Sequence, residues 1–191
     1  MTIEPTFLFM PLPQIQILQF DRELCRWDTK LMDAPHARFK FFDSLDSMYH
    51  YANIWLTATA NEPGVIFLCG HGMNSRFISH SKIIRIDELL KEIGPLNKKS
   101  VHFSSCYTFN TENKKLKKIY EESGAHIISG YRESVNAIDS ANLESFLLSH
   151  LGHPIQSEYT VTKAYSALYR VKSETVRKTG FCFVSRIIPD E

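Results

Sequence analysis

The chain has 191 residues, of which 43% are hydrophobic and 23% charged, as in an ordinary globular protein. This length suits one compact core, so we expect a single domain over residues 1–191. The 22 Lys and Arg residues nearly balance the 21 Asp and Glu residues, which leaves a formal net charge of +1. That balance gives no strong positive field for collecting phosphates, so we do not expect direct binding to nucleic acid or to an acidic membrane.

We expect neither a membrane span nor export. The longest apolar run, residues 65–69, is far shorter than the roughly 18 residues that a membrane helix needs. Glu4 stands where a secretory signal needs bases, and Pro11 and Pro13 interrupt the apolar stretch behind it. The four cysteines are widely spaced and form no CxxC pair, which favours reduced thiols. We therefore expect a cytoplasmic protein.

The first half of the chain predicts two strands, a helix and a third strand. Residues 14–20 and 38–42 have strand patterns, and Ser44 is a good N-cap for a helix over residues 45–60. Residues 65–69 follow the next turn and are apolar at every position. Such a run is typical of a strand that helices cover on both faces of a parallel sheet.

The second half continues the alternation of helices and strands. The elements predicted there are a helix over residues 87–93, a strand over 100–105, a helix that starts at residue 111 or 112 and is stopped after 123 by Gly124, a strand over 125–130, helices over 139–151 and 161–171, and a strand over 181–188. This alternation predicts a three-layer α/β sandwich, with a mostly parallel sheet between two layers of helices.

Two predicted strands end in residues that suit catalysis. His71 follows the strand over residues 65–69, and Cys106 follows the strand over residues 100–105. The 35 residues between them (106 − 71) leave room for one connecting helix. If these strands are parallel neighbours, the imidazole and the thiol lie at the same sheet edge, within reach of proton transfer.

A thiol next to an imidazole is suited to nucleophilic catalysis. A free thiol has a pKa of about 8.5, and a nearby imidazole raises its ionised fraction or delivers a proton to a leaving amine. Gly70 and Gly72 flank His71 and let the backbone bend sharply there. The amides of Gly72 and Cys106 are our candidates for an oxyanion hole.

Three ordered segments, residues 65–72, 101–108 and 123–130, carry a resemblance to a known family. They are similar to segments of the caspase-like cysteine peptidases, and most similar to those of the CHAT group, relatives of caspases and separases. The resemblance covers roughly residues 63–152, just under half the chain. It implies a six-stranded caspase-like sheet and hydrolysis of peptide bonds through a thioester. It also implies a Cys106–His71 dyad and no metal or other cofactor.

The chain departs from caspases around the nucleophile. Caspases have Gln-Ala-Cys-x-Gly there, whereas this chain has Ser-Ser-Cys-Tyr-Thr at residues 104–108, so the caspase specificity for aspartate is not carried over. No long segment that could be cut into two subunits separates Cys106 from the next strand. The resemblance to CHAT effectors implies instead regulation by a separate protein partner or by assembly, within a bacterial (antiviral) defence system.

The resemblance also implies a substrate pocket after the fifth strand, where Tyr131 matches the family's aromatic residue. Glu133 and Asp139 follow, and a carboxylate in that pocket would favour Arg or Lys in the substrate. Asp139 is equally suited to cap the helix that follows, and Arg132 leaves an acidic preference open. The residues therefore do not decide the cleavage specificity.

Three other interpretations compete with catalysis. Cys69 and His71 could bind a metal with His80 or His102, but their spacing does not match a zinc site, so we expect no metal. The fold could instead be a catalytically inactive caspase-like module that holds a protein partner. A flavodoxin-like nucleotide domain is weaker, because the chain lacks a glycine-rich phosphate loop.

Overall fold

The structure is a computed structural model that describes residues 14–20, 37–79, 82–151 and 154–185. The expectations for Cys25 and His80, and for residues 186–188 of the last predicted strand, lie outside this part of the chain. Among the described residues, no helix has the length and apolar character that crossing a bilayer requires.

Nine strands and six helices occupy the described residues. In chain order the strands are β1 (Ile15–Phe20), β2 (Ala37–Phe42), β3 (Gly64–Cys69), β4 (His71–Met73), β5 (Arg76–Ile78), β6 (Ile83–Arg85), β7 (Lys99–Ser104), β8 (Ile127–Tyr131) and β9 (Phe181–Ser185). The helices are α1 (Leu45–Ala58), α2 (Ile86–Ile93), α3 (Asn113–Ser123), α4 (Ala137–Leu151), α5 (Glu158–Val171) and α6 (Ser173–Thr179).

Six of these strands form the main sheet, in the order β2-β1-β3-β7-β8-β9. Every neighbouring pair is parallel except β8 and β9, which are antiparallel. The strands β3 and β7, which precede the two candidate catalytic residues, are therefore adjacent and parallel. The predicted α/β class with a mostly parallel six-stranded sheet is confirmed.

Helices cover both faces of the sheet. Successive side chains of a strand point to opposite faces, so β3 places Leu68 in one core and Phe67 in the other. The core around Leu68 includes α1, α2 and α3, and the core around Phe67 includes α4, α5 and α6. This two-sided burial confirms the interpretation of the apolar run at residues 65–69.

Capping residues set several helix ends. The Ser44 side chain accepts the Ser47 N–H at 3.2 Å and caps α1, as predicted. Gly124 ends α3 in the left-handed conformation, with φ of 67°, as predicted. The start of α4 differs from the prediction: Asn136 accepts the Asp139 N–H at 2.9 Å, so the helix begins at Ala137 and Asp139 lies in its first turn.

The sequence analysis did not predict two elements of the fold. One is the small antiparallel sheet β4-β5-β6, whose strands have three residues each and are too short to show a periodicity. The other is helix α6, a seven-residue helix directly after α5. The first strand of the small sheet begins at His71, one of the two predicted catalytic residues.

Candidate active site

His71 and Cys106 lie at equivalent positions beyond two neighbouring strands. The register of β3 and β7 places Cys69 opposite Ser104. His71 is two residues after Cys69 (71 − 69), and Cys106 is two residues after Ser104 (106 − 104). Because the strands are parallel, both residues leave the sheet at its carboxyl edge, where ligand sites of such sheets occur.

Both residues line one cleft with a volume of about 270 Å³. The lining residues are Gln19, Phe20, Cys69, Gly70, His71, Ser105, Cys106, Tyr131, Val135 and Ala137. The His71 side chain is exposed and Cys106 is half-buried, so both are reachable from the cleft. The structure thus brings the two predicted catalytic residues to one site.

A hairpin holds His71 against the segment that follows Cys106. Strands β4 and β5 are joined at Asn74 and Ser75, which have φ of 47° and 63°. The Ser75 N–H donates to the Tyr107 carbonyl at 2.9 Å, and the Ser75 hydroxyl donates to the Asn110 carbonyl at 2.9 Å. Ser75 therefore fastens the hairpin that carries His71 to the loop that carries Cys106.

Gly72 also lies against this loop. A Cβ built on Gly72 would lie 2.2 Å from the Cys106 carbonyl oxygen and 2.8 Å from the Thr108 methyl carbon. No other amino acid fits there without a shift of the backbone. The glycine is required for the close packing of these two backbones.

The backbone of Val135 contacts the Cys106 thiol through both its N–H and its carbonyl. The Val135 N–H donates to Sγ at 3.3 Å, and Sγ lies 3.6 Å from the Val135 carbonyl oxygen, to which the thiol donates. Within the described part of the chain, no acceptor takes the Cys106 N–H and no hydrogen bond joins His71 to Cys106.

The loop after Cys106 is held in a strained form. Tyr107 has φ of 54°, a left-handed conformation that is uncommon for a bulky residue. Its N–H donates to the Glu133 carbonyl at 3.1 Å, and the Phe109 N–H donates to the Tyr131 carbonyl at 2.9 Å. These bonds attach the loop to the end of β8 and define the direction in which Cys106 leaves β7.

The three residues expected to form a substrate pocket lie in different places. Tyr131 lines the cleft and is completely buried. Glu133 is exposed and lies outside the residues that line the cleft. Asp139 is also outside them, and its carboxylate contacts the Lys178 ammonium at 2.7 Å. The hydrogen bond from Lys178 holds the pKa of Asp139 below its usual value.

A buried polar network lies behind Tyr131, and the sequence analysis did not find it. The Tyr131 hydroxyl donates to Glu144 Oε1 at 2.9 Å, and the same oxygen lies 3.1 Å from His102 Nε2. His102 Nδ1 contacts the Ser129 hydroxyl at 2.9 Å, and that hydroxyl contacts Tyr165. Burial, and then the nearby Glu144, raise the pKa of Tyr131 well above its usual value. His102 thus has a place in the core and lies outside the cleft.

The lining residues Gln19, Val135 and Ala137 were also missed. Gln19 lies opposite Cys69 in the register of β1 and β3, near the carboxyl end of its strand. The sequence could have indicated Gln19 through its position near the end of the predicted strand, because the ends of neighbouring parallel strands meet at one edge of the sheet. Val135 and Ala137 follow β8 in a segment without a recognisable pattern.

Among the described residues, no group of three His, Cys, Asp or Glu side chains is placed to hold a metal ion.

Comparison with known proteins identifies the family of the chain. A family of unknown function, DUF6642, matches residues 30–183, and the chain belongs to this family. A comparison with curated proteins found no match.

One similar solved structure is that of a secreted C11 cysteine protease from Bacteroides thetaiotaomicron in complex with an irreversible peptide inhibitor. The two proteins share 11% sequence identity with a TM-score of 0.49. The match covers 84% of this chain and 60% of the protease chain, so this chain spans less than two thirds of that protein.

Proposed function

We propose that this protein is a caspase-like cysteine endopeptidase in which Cys106 is the nucleophile and His71 is the general acid and base. The observation that carries the proposal is the equal offset of the two residues beyond adjacent parallel strands, at one cleft. The ordered segments that resemble the CHAT group support the same assignment.

The first half of the reaction forms a thioester. The Cys106 thiolate attacks the carbonyl carbon of the scissile bond, and the resulting oxyanion accepts hydrogen bonds from the Gly72 and Cys106 amides. The C–N bond then breaks, and His71 gives its proton to the departing amine. The Cys106 N–H suits its role because it has no acceptor among the described residues.

The second half releases the product and restores the enzyme. His71 takes a proton from a water molecule, whose oxygen attacks the thioester carbonyl carbon. The C–S bond breaks, the acid product leaves, and the thiolate and protonated imidazole return. Each step uses side chains, backbone amides and water alone, so the proposed reaction needs no metal or other cofactor.

The position of His71 on a short hairpin is compatible with this role. Catalytic hydrogen bonds in enzymes without substrate are often long and shorten when substrate binds. Ser75 and Gly72 keep the hairpin within reach of the Cys106 loop, while the imidazole itself stays exposed to the cleft. A substrate peptide between the two would be contacted by both groups.

The proposal extends to regulation. We assign control of the peptidase to a separate regulatory protein, and its setting to bacterial defence in the cytoplasm, because the resembling CHAT effectors work in that way. The expected partners are a protein or peptide substrate and this regulator, with no membrane and no direct nucleic-acid contact.

Cleavage assays on paired variants test the mechanism. A fluorogenic peptide library is incubated with wild type, Cys106→Ala and His71→Ala. The controls are Cys182→Ala, which removes a half-buried thiol in β9, and His50→Ala, which removes an exposed imidazole from α1. We expect cleavage to disappear in the first two variants and to persist in the controls. Cleavage that persists in Cys106→Ala would overturn the mechanism.

A second candidate is an inactive module that holds a protein partner at the same sheet edge. It is favoured by one observation: within the described residues, no hydrogen bond joins His71 to the Cys106 thiol. Alkylation rates separate the two candidates. An active site requires Cys106 to react with iodoacetamide faster than Cys69 and Cys182, and more slowly in His71→Ala. Equal rates for Cys106 with and without His71 would favour the binding module.

A further inference from the structure

The small sheet β4-β5-β6 has one face on the core and one face towards solvent. Successive side chains of a strand point to opposite faces, and the exposure of its residues alternates accordingly. Phe77 is completely buried, and Ile84 packs against the same core. The strand registers place Gly72 and Ile84 on either side of Phe77, so this row of residues faces the core.

The other two rows form what we call the outer face of the small sheet. One row is His71, Ile78 and Ile83, and the other is Met73, Arg76 and Arg85. Ile78 is half-buried and the other five residues are exposed. Opposite residues of antiparallel strands have Cβ atoms about 5 Å apart, so His71 is a direct neighbour of Ile78 on this face.

The outer face is rich in exposed apolar side chains. Among the described residues, six large hydrophobic side chains are exposed, and two of them belong to this face: Met73 at 44% and Ile83 at 56%. Single exposed apolar residues are ordinary, whereas grouped ones mark a surface that contacts another molecule. The small sheet therefore has the character of a docking surface.

The outer face also has a positive charge that is available to a ligand. Arg85 is engaged by the Asp87 carboxylate, with Nη2 2.6 Å from Oδ2 and Nε 3.0 Å from Oδ1. Within the described part of the chain, the Arg76 guanidinium has neither an ion pair nor a hydrogen bond. A guanidinium beside apolar side chains suits a carboxylate on a segment that is otherwise apolar.

His71 connects the outer face to the cleft, since it belongs to both. In the proposed mechanism, His71 gives its proton to the departing amine. That nitrogen begins the part of the substrate after the scissile bond, so this part leaves the cleft at His71. The two rows of the outer face are about 7 Å apart, which an extended peptide spans in two residues. A segment that continues over this face reaches Arg76 within its first few residues.

We propose that the outer face of the small sheet binds the part of the substrate that follows the scissile bond, and that it favours a segment with both apolar and acidic residues. Ile78 and Ile83 contact the apolar side chains, and Arg76 pairs with a carboxylate. These three residues determine specificity and take no part in the chemical steps. The inference rests on the proposed function, because His71 as proton donor defines which side of the substrate lies here.

Short peptides that mimic the leaving product test this inference without cleavage. Three peptides with a free N-terminus and a C-terminal fluorescein are titrated with wild type, and their affinities are measured by fluorescence anisotropy. They are the acidic apolar Ala-Leu-Asp-Glu-Leu-Gly, the basic Ala-Leu-Lys-Lys-Leu-Gly and the polar Ala-Ser-Asp-Glu-Ser-Gly. We expect the first to bind about fivefold more tightly than either of the others, as one exposed ion pair or one partly buried apolar side chain would give.

Charge reversal identifies the arginine responsible. Arg76→Glu should make the basic peptide bind about fivefold more tightly than the acidic apolar one, and this gain for the basic peptide cannot come from a folding defect. Ile83→Ser should weaken binding of the acidic apolar peptide about threefold and leave the polar peptide unchanged. The matched controls, Arg170→Glu and Val171→Ser, lie at exposed positions at the end of α5 and should change no affinity.

Cleavage of a proteome-derived peptide library tests the same preference in the reaction. Wild type, Arg76→Glu and Arg170→Glu are compared, and mass spectrometry of the products gives the residues that follow each cut. Wild type and Arg170→Glu should enrich Asp and Glu in the first few positions after the cut. Arg76→Glu should enrich Lys and Arg there instead.

The outcomes separate this inference from the proposed function. Equal affinities for the three peptides, or an unchanged order of affinities in Arg76→Glu, would overturn the inference. If wild type cleaves the library with no preference for acidic residues after the cut, the inference fails and the proposed function stands. If nothing is cleaved while Arg76→Glu still reverses the peptide affinities, the proposed function fails and the outer face stands as a binding surface for such segments.

Discussion

The backbone of Gly72 lies against the backbone of Cys106 so closely that a Cβ on Gly72 would sit 2.2 Å from the Cys106 carbonyl oxygen. This contact couples the residue beside the candidate imidazole to the residue that carries the candidate nucleophile. The relative position of the two groups therefore depends on backbone packing, in addition to the strand register.

The first prediction concerns this contact. Gly72→Ala should lower the free energy of unfolding by about 1–3 kcal/mol, because an added methyl group in a closely packed site forces the backbone to move. It should also lower the rate of peptide cleavage, since the shift separates His71 from Cys106. Urea unfolding and cleavage assays measure the two effects.

Gly94→Ala is the control for the Gly72 substitution. Gly94 has φ of 98°, and nothing lies within 4 Å of an added Cβ. Its substitution introduces backbone strain away from the cleft, so it should lower stability and leave cleavage unchanged. Equal cleavage by Gly72→Ala and wild type would show that the contact does not position the site.

The second prediction concerns the attachment of the hairpin. Ser75→Ala removes the hydroxyl that donates to the Asn110 carbonyl at 2.9 Å. The free energy of unfolding should fall by about 1 kcal/mol, the usual contribution of one hydrogen bond. The kcat/KM should fall as well, because His71 loses one support of its hairpin. Ser149→Ala, at an exposed position of α4, should change stability by less than about 0.5 kcal/mol and leave kcat/KM unchanged.

The third prediction concerns the buried Lys99 at the start of β7. Its ammonium donates to the carbonyls of Thr59 and Glu62 and lies 5.1 Å from the centre of the Trp55 ring. Burial lowers the pKa of Lys99 to about 8 from an ordinary value of 10.5. Between these two values the unfolded chain binds more protons than the folded one, so this group makes the folded state more stable as the pH rises.

Unfolding in urea at pH 8 and pH 10 measures this effect. The free energy of unfolding should rise more steeply with pH in wild type than in Lys99→Met, by at most about 3 kcal/mol at 1.36 kcal/mol for each pKa unit. Lys115→Met, at an exposed position of α3, should keep the wild-type slope. Parallel curves for wild type and Lys99→Met would contradict the lowered pKa.

The fourth prediction concerns the polar network behind the cleft. Glu144→Ala leaves the Tyr131 hydroxyl and His102 Nε2 buried without their acceptor. The free energy of unfolding should fall by about 3 kcal/mol, because loss of one member of a buried network leaves the others unpartnered. Glu144→Gln keeps an acceptor oxygen and should lose less. The control Glu174→Ala, at an exposed position of α6, should leave the free energy of unfolding almost unchanged. An equal loss of stability in Glu144→Ala and Glu174→Ala would argue against the network.

The sequence was most informative where strands are long and apolar on both faces. Residues 65–69 were typical of a covered strand, and His71 and Cys106 were expected at one edge if their strands were parallel neighbours, which the pairing of β3 with β7 shows. Cap residues such as Ser44 and Gly124 also carried a local physical signal, because their side chain or their left-handed backbone ends a helix.

The residues expected to form a substrate pocket were less predictable. Asp139 is near the end of β8 in sequence, but its carboxylate is held by Lys178, which lies 39 residues further along the chain (178 − 139). Sequence proximity does not tell which way a side chain points when a distant helix supplies its partner. Gln19 was missed for a different reason, because its place in the cleft lining depends on the register of β1 with β3.

The antiparallel direction of β9 has a practical consequence. Since β9 runs opposite to β8, its first residue, Phe181, lies beside Tyr131 near the cleft, and its last residue, Ser185, lies beside Ile127 at the far rim of the sheet. Gln14, just before β1, is at that same far rim. A fluorophore or surface tether introduced at Ser185 would leave the mouth of the cleft accessible, so the protein can be immobilised there while peptides are presented to it.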